Sequence, residues 1–164
     1  MKRLLENLLE QDIFKPPTEE ELEQAKIEVF IKMHDGRRNP DGSYDFDEDL
    51  YAIELGNVIV NGRFIIKFGK VGGDFVCSEC ELTTLEGAPE YVGRYFGCSY
   101  NELTSLKGAP ERVGGDFDCS HNDLTSLEGA PKYVGGNFVC FDNPVKFTKE
   151  DVSKVSEVKG WKFV

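Results

Sequence analysis

The same 21-residue phrase is written three and a half times between Val71 and Val145, with no insertions. Its copies begin at Val71, Val92, Val113 and Val134. They read VGGDFVCSECELTTLEGAPEY, VGRYFGCSYNELTSLKGAPER, VGGDFDCSHNDLTSLEGAPKY and the truncated VGGNFVCFDNPV. A unit this short cannot bury its own apolar face, so each copy must stack on the one before it. The period therefore predicts an elongated stack, and such stacks mostly present a surface to a partner.

In the third copy, Phe117 and Cys119 are two residues apart, which points both side chains to one side of a strand. Leu124 and Leu127 follow, and Gly129-Ala130-Pro131 turns the chain back without a regular helix. The outline is L-x-L-x-x-N-x-L-x-x-L, with Phe and Cys in the first two apolar slots. It resembles a leucine-rich repeat of the short, Pro-containing type found in bacterial secreted effectors. The phrases LTSLEGAP and VGGDFDCS look more closely like leucine-rich-repeat proteins encoded by large tailed phages. The resemblance covers 71–145 and is looser over 39–70 and 144–164.

The resemblance implies an α+β solenoid with a parallel β-sheet on its concave side, one strand per 21-residue repeat. Neighbouring strands would lie about 4.8 Å apart. Each inward column then repeats one residue type: Phe75, Phe96, Phe117 and Phe138, then Cys77, Cys98, Cys119 and Cys140. Leu82, Leu103 and Leu124 form a third column, and Leu85, Leu106 and Leu127 a fourth. Cys80, Asn101, Asn122 and Asn143 fill the slot where Asn or Cys bonds turn backbone that would otherwise be buried and unpaired.

The flanks read as caps. Leu4, Leu5, Leu8, Leu9 and Ile13 have helical spacing, and Pro16-Pro17 stops that helix. Thr18 and Glu21 form a capping box for a second helix with Leu22, Ala25 and Val29 on one face. Its end is ambiguous, because Ile27, Val29, Ile31 and Met33 also alternate like a strand. Residues 1–36 thus form an α-helical N-terminal segment, and 37–70 a capping hairpin and degenerate repeat. Within the latter, Asn39-Pro40-Asp41-Gly42 is a turn, Tyr44, Phe46, Leu50, Tyr51 and Ile53 suggest strands, and Asn61-Gly62 marks a hairpin. The repeats occupy 71–145. Residues 146–164 are a helix/strand cap: a helix from Thr148 to about Val158, stopped by Gly160, with Trp161, Phe163 and Val164 closing the stack.

The net charge of −11 argues against direct binding to a nucleic-acid backbone, which needs clustered Lys and Arg. It permits a basic protein partner, or mimicry of nucleic acid. No stretch reaches the roughly 20 apolar residues of a membrane helix, and Glu6 and Glu10 interrupt the N-terminal run, so no secretory signal is read there. The expected compartment is the cytoplasm, that of the host cell if the protein is viral, with the five cysteines reduced.

Cys77-x-x-Cys80 has the spacing of a metal knuckle or redox pair. The repeat already explains both residues, one as core and one as the Asn slot, so no metal or cofactor is expected. Asp45, Asp47 and Asp49 alternate like a Ca²⁺ loop but lack its sixth-position Gly, and solvated charges fit better. With two histidines, His34 and His121, and no triad, zincin or P-loop motif, no catalytic residue is assigned.

The informative residues are those the core leaves unfixed: Asp74, Tyr95, Tyr100, Asp116, Asp118, His121 and Phe141. Aromatic anchors in a polar surround are typical of protein interfaces. Phe141 stands where three copies have Ser, and is open to two readings, an interface residue or one packed under the C-terminal cap. The expected function is a non-enzymatic protein-binding module acting on a host protein, such as a defence or regulatory factor, and inhibiting it by occlusion. The phage and inhibitor parts come from the resemblance alone. The alternatives are an acidic nucleic-acid mimic and a structural protein of a virion. The leucines of residues 4–9 would allow a homo-oligomer through the N-terminal helices.

Overall fold

The structure, a computed structural model, describes residues 16–164. The amphipathic stretch 4–14 lies outside them. Helix α1 (Glu19–Met33) begins with a reciprocal pair. The Glu21 N–H donates to the Thr18 hydroxyl at 3.2 Å, and the Thr18 N–H donates to the Glu21 carboxylate at 2.7 Å. The helical period wins over the strand-like alternation because Ile27, Phe30 and Ile31, three and four apart, pack on the core. The helix ends in a left-handed turn: Asp35 has φ 48°, and the Gly36 N–H returns to the Ile31 carbonyl at 2.9 Å.

Strands β1 (Arg37–Arg38) and β2 (Tyr44–Phe46) form an antiparallel pair around the Asn39–Gly42 turn. Past Leu50 the expected strand gives way to a short helix, α2 (Ala52–Leu55), and a 3-10 turn over Gly56–Val58. Leu55 and Val58 are buried three apart while Ile53 is 82% exposed, a helical pattern of burial. Strands β3 (Ile59–Val60) and β4 (Arg63–Phe64) make the hairpin expected at Asn61-Gly62, with both turn residues at positive φ, 51° and 73°.

Each repeat contributes two short strands, not the single strand expected. One set is β5 (Phe68–Val71), β7 (Tyr91–Val92), β9 (Arg112–Val113) and β11 (Tyr133–Val134). The other is β6 (Phe75–Val76), β8 (Phe96–Gly97), β10 (Phe117–Asp118) and β12 (Phe138–Val139). Within each set every strand pairs in parallel with its counterpart in the next copy. The extra strand arises because the residues before each corner also run straight enough to pair. The corner glycine makes this close approach feasible. A Cβ on Gly93, Gly114 or Gly135 would lie 2.1, 2.0 or 2.2 Å from the preceding corner's carbonyl oxygen.

The C-terminal residues add α3 (Lys149–Val155), β13 (Glu157–Val158) and β14 (Lys162–Phe163). The result is a seven-stranded sheet, β1-β2-β5-β7-β9-β11-β13, and a five-stranded sheet, β14-β12-β10-β8-β6. The molecule is α+β, with parallel strands throughout except at the β1–β2 pair and the β3–β4 hairpin. The buried phenylalanines lie one behind another: Phe75–Phe96 and Phe96–Phe117 ring centroids are both 5.6 Å apart, and Phe117–Phe138 5.0 Å. Phe64 and Phe68 extend the row, and Phe46 and Phe30 then cap it under α1.

The ends use the repeat's own geometry at altered lengths. Phe46 pairs with Val71 and Leu50 bridges to Phe75, a longer step along the chain than the one between copies. Val134 pairs with Val158 and Phe138 with Lys162, again a longer step. The C-terminal segment is a helix followed by strands, as expected, but its helix is shorter. The helix stops at Val155, since Val158 is needed to extend the seven-stranded sheet, and Gly160 serves as a corner glycine hydrogen-bonded to the Gly136 carbonyl. VKGWKF thus follows the course of VGGNFV, with Lys162 at the end position of the phenylalanine row. Trp161, Phe163 and Val164 are left 72%, 49% and 42% exposed, so the segment covers the last copy by backbone pairing with β12 and not by burying these three side chains.

Candidate interaction face

Two polar ladders hold the copies in register. Asn101 Oδ1 accepts from the Cys80 and Leu82 N–H groups at 3.0 and 2.9 Å, while its Nδ2 donates to the Cys77 and Cys98 carbonyls. Asn122 and Asn143 repeat the arrangement, accepting from Leu103 and Leu124. Each Asn reaches back to the preceding copy. Cys80, in the first copy, keeps only a contact from its Sγ to the Ser78 carbonyl.

The second ladder runs along the corners. Asp49 accepts from the Asp74 N–H, Asp74 from Tyr95, Asp116 from Asn137, and Asn137 from Trp161, at 2.7–3.0 Å. Asp74 and Asp116 are therefore committed to backbone N–H groups. They sit at the corner between the sheets, beside Tyr95, and neither hydrogen-bonds to Tyr100, His121 or Phe141.

Tyr95 occupies one rung of this ladder without a carboxylate, and its ring lies across the outer face of the five-stranded sheet. A Cβ on Gly97 would be 2.7 Å from the Tyr95 ring, so the glycine makes the space that the tyrosine fills. The Tyr95 hydroxyl lies 3.4 Å from Asp118 Oδ2, and burial, followed by the Asp118 charge, pushes its pKa up. Asp118 also accepts from the Ser120 N–H and hydroxyl, at 3.0 and 2.6 Å. Tyr95 and Asp118 thus form a pair brought together over Gly97.

The remaining three residues meet at the end of this sheet. Glu79, Tyr100, His121 and Asp142 take the same left-handed backbone, φ 51–57°, in successive copies. This places Tyr100 and His121 ring on ring, 4.1 Å between centroids and 12° from parallel. Phe141 meets His121 edge-on at 5.3 Å, and His121 Nε2 lies 3.5 Å from Asp142. Tyr100 is 55% and Phe141 40% exposed, so the row offers aromatic surface to solvent. Phe141 also borders the C-terminal cap, lining one groove with Lys146, Phe147 and Val164.

Charge is segregated around this row. Between Val71 and Val145 the only cations are Arg94, Lys107, Arg112 and Lys132. Arg94 pairs with Asp49, Lys107 with Glu128 and Lys132 with Glu111, and Arg112 stacks on Tyr133. Glu79, Glu81, Glu102 and Asp123 lie beside the aromatic row, exposed, and make no ion pair among the described residues.

The other chemical candidates resolve into structure. Cys77, Cys98 and Cys119 are buried free thiols that burial holds well above the usual thiol range. The acidic run is internally paired: Asp41 with Lys67 and Ser43, Asp45 with Asn39 and the Lys70 N–H, Asp47 with Arg37, Glu48 with His34. Among the described residues no three His, Cys, Asp or Glu side chains converge into a metal-holding group. None of the described helices is long and apolar enough to cross a membrane. No family model, curated protein or solved structure matches the chain.

Proposed function

We propose that the chain is a short leucine-rich-repeat solenoid acting as a non-enzymatic protein-binding module. Its contact surface is the Tyr100–His121–Phe141 row with its acidic surround. The observation that carries this reading is the convergence, from three successive copies, of three aromatic side chains that the core does not require. Half-exposed, pre-positioned aromatics lose little conformational entropy on binding, which is why they recur as interface anchors. The carboxylates beside the row that make no ion pair among the described residues, Glu79, Glu81, Glu102 and Asp123, favour a partner bearing Lys or Arg. A phage origin and a host defence or regulatory target follow from the repeat's resemblance, and occlusion of that target is the mechanism they suggest.

The column Glu81, Glu102 and Asp123, one carboxylate per copy, favours a second reading, an acidic mimic of nucleic acid. Capture from bacterial lysate by the immobilised chain separates the two. A partner that survives high salt and is lost with the Tyr100→Ala/Phe141→Ala double variant supports the aromatic interface. A partner indifferent to that variant and released by salt supports the mimic.

A further inference from the structure

The aromatic row has an open end. Tyr100, His121 and Asp142 occupy one left-handed position in successive copies, and Glu79 holds that position in the first. The Tyr100 ring lies parallel to that of His121 in the following copy, 4.1 Å between centroids, so its opposite face is turned toward the first copy. There the Glu79 carboxylate takes the place that a ring takes in the next two copies. Glu79 is exposed and makes no ion pair among the described residues. On its far side a cavity of about 390 Å³ separates it from Gly56 and Gly62 of the leading cap, and no Lys or Arg lines that cavity.

Building on the reading of this row as the contact surface, we propose that its open end is an arginine subsite. A guanidinium of the partner stacks on the free face of Tyr100, and the Glu79 carboxylate receives it edge-on. The molecule makes the stacking half of this contact on its other sheet. Arg112 and Tyr133 are register partners one copy apart, and Arg112 Cζ lies 3.8 Å from the centre of the Tyr133 ring. One copy advances the stack by about 4.8 Å, so a guanidinium over Tyr100 lies at the level of the Glu79 side chain. Its N–H edge and the carboxylate then share a plane, as paired N–H···O bonds require. The repeats supply no such cation themselves. Arg94, Lys107 and Lys132 are held in ion pairs, and Arg112 lies over Tyr133. A lysine ammonium has no flat face and cannot make both contacts in this way. The other end of the row is already closed, because Asp142 lies 3.5 Å from His121 Nε2 and Phe141 meets His121 edge-on.

The test is NMR titration of the isotope-labelled full chain with two blocked tripeptides, Gly-Arg-Gly and Gly-Lys-Gly. The arginine peptide should give saturable shifts at the Tyr100 ring and at the Glu79 amide, with its own side-chain methylenes moved upfield by the ring current. The lysine peptide should bind about fivefold more weakly or worse, and Glu79→Gln or Tyr100→Ala should weaken the arginine peptide as much. Equal response to both peptides, shifts confined to other residues, or no saturable shift would overturn the proposal. The partner captured through the aromatic row gives a second arm, in which Glu79→Lys should weaken binding by about tenfold or more. A partner lost with Tyr100→Ala/Phe141→Ala but indifferent to Glu79→Lys would overturn the subsite and leave the interface standing. A partner indifferent to both variants would remove the interface and the subsite with it.

Discussion

Tyr95 and Gly97 depart from the repeat together, and one cause explains both: the tyrosine ring lies where the side chain of a residue at 97 would stand. The sequence shows the two departures side by side but not that they compensate, because that depends on a rotamer crossing to Asp118 in the next copy. The same limit applies to Asp74 and Asp116. Their outward position was legible, whereas their use as acceptors for the next copy's N–H groups depends on the corner's three-dimensional path. The Asn slot was legible in full, since a buried Asn once per repeat has few other uses. Asn101→Ala leaves the buried Leu82 N–H and several carbonyls without partners, and should lower the unfolding free energy by about 2–4 kcal/mol in urea titration. Cys80→Ala, at the same slot with one weak contact, should cost less than about 1 kcal/mol.

The thiols make a second test at this scale. Burial raises Cys77, Cys98 and Cys119 well above the ordinary value of 9.0 and lifts Cys140 to about 12. An acid whose folded pKa is raised stays protonated in the fold while the unfolded chain ionises. The stability it contributes is full below about pH 9 and is lost as pH rises through the folded value, by up to about 1.4 kcal/mol per pH unit and thiol. The melting temperature should therefore fall above pH 9, and a flat profile to pH 10.5 would contradict the burial. In native protein an alkylating reagent should reach the half-buried Cys80 first, the other four reacting only on unfolding.

Among the elements, the corner decides the architecture. The VGG phrase is visible as a glycine-rich turn, but its two flanks pairing as separate strands is not. Two residues of Tyr-Val or Arg-Val carry no periodicity that marks a strand. Gly114→Ala places a Cβ about 2.0 Å from the Gly93 carbonyl oxygen and should destabilise by about 3 kcal/mol or more, the effect of forced overpacking against backbone. Gly56→Ala is the control. Nothing lies within 4 Å of that Cβ and φ is −55°, so its effect should be within about 1 kcal/mol of zero. At the C-terminus the sequence suggested a helix to about Val158 because Val152, Val155 and Val158 are three apart. The open edge of β11 offers Val158 a ladder of backbone hydrogen bonds instead, and the helix yields it.

Taken as a whole, the molecule runs one register from Phe46 to Phe163, and only its first and last coils take a longer step than the copies between them. Such stacking turns a single left-handed position into a column, so that substitutions within one repeat assemble Tyr100 against His121 and bring Phe141 alongside. Because these aromatics protrude from the core, Tyr100→Ala should leave the melting temperature within about 2 °C of the parent while weakening partner binding by about 2 kcal/mol or more. Hydrogen–deuterium exchange on the complex with the captured partner tests the central claim most directly, because it locates the contact without altering the protein. Protection is expected at 97–101, 118–122 and 139–142, with the outer residues of the seven-stranded sheet, Tyr91, Arg112 and Tyr133, unchanged. Protection confined to that second sheet or to α1, with the aromatic row exchanging as in the free protein, would contradict it.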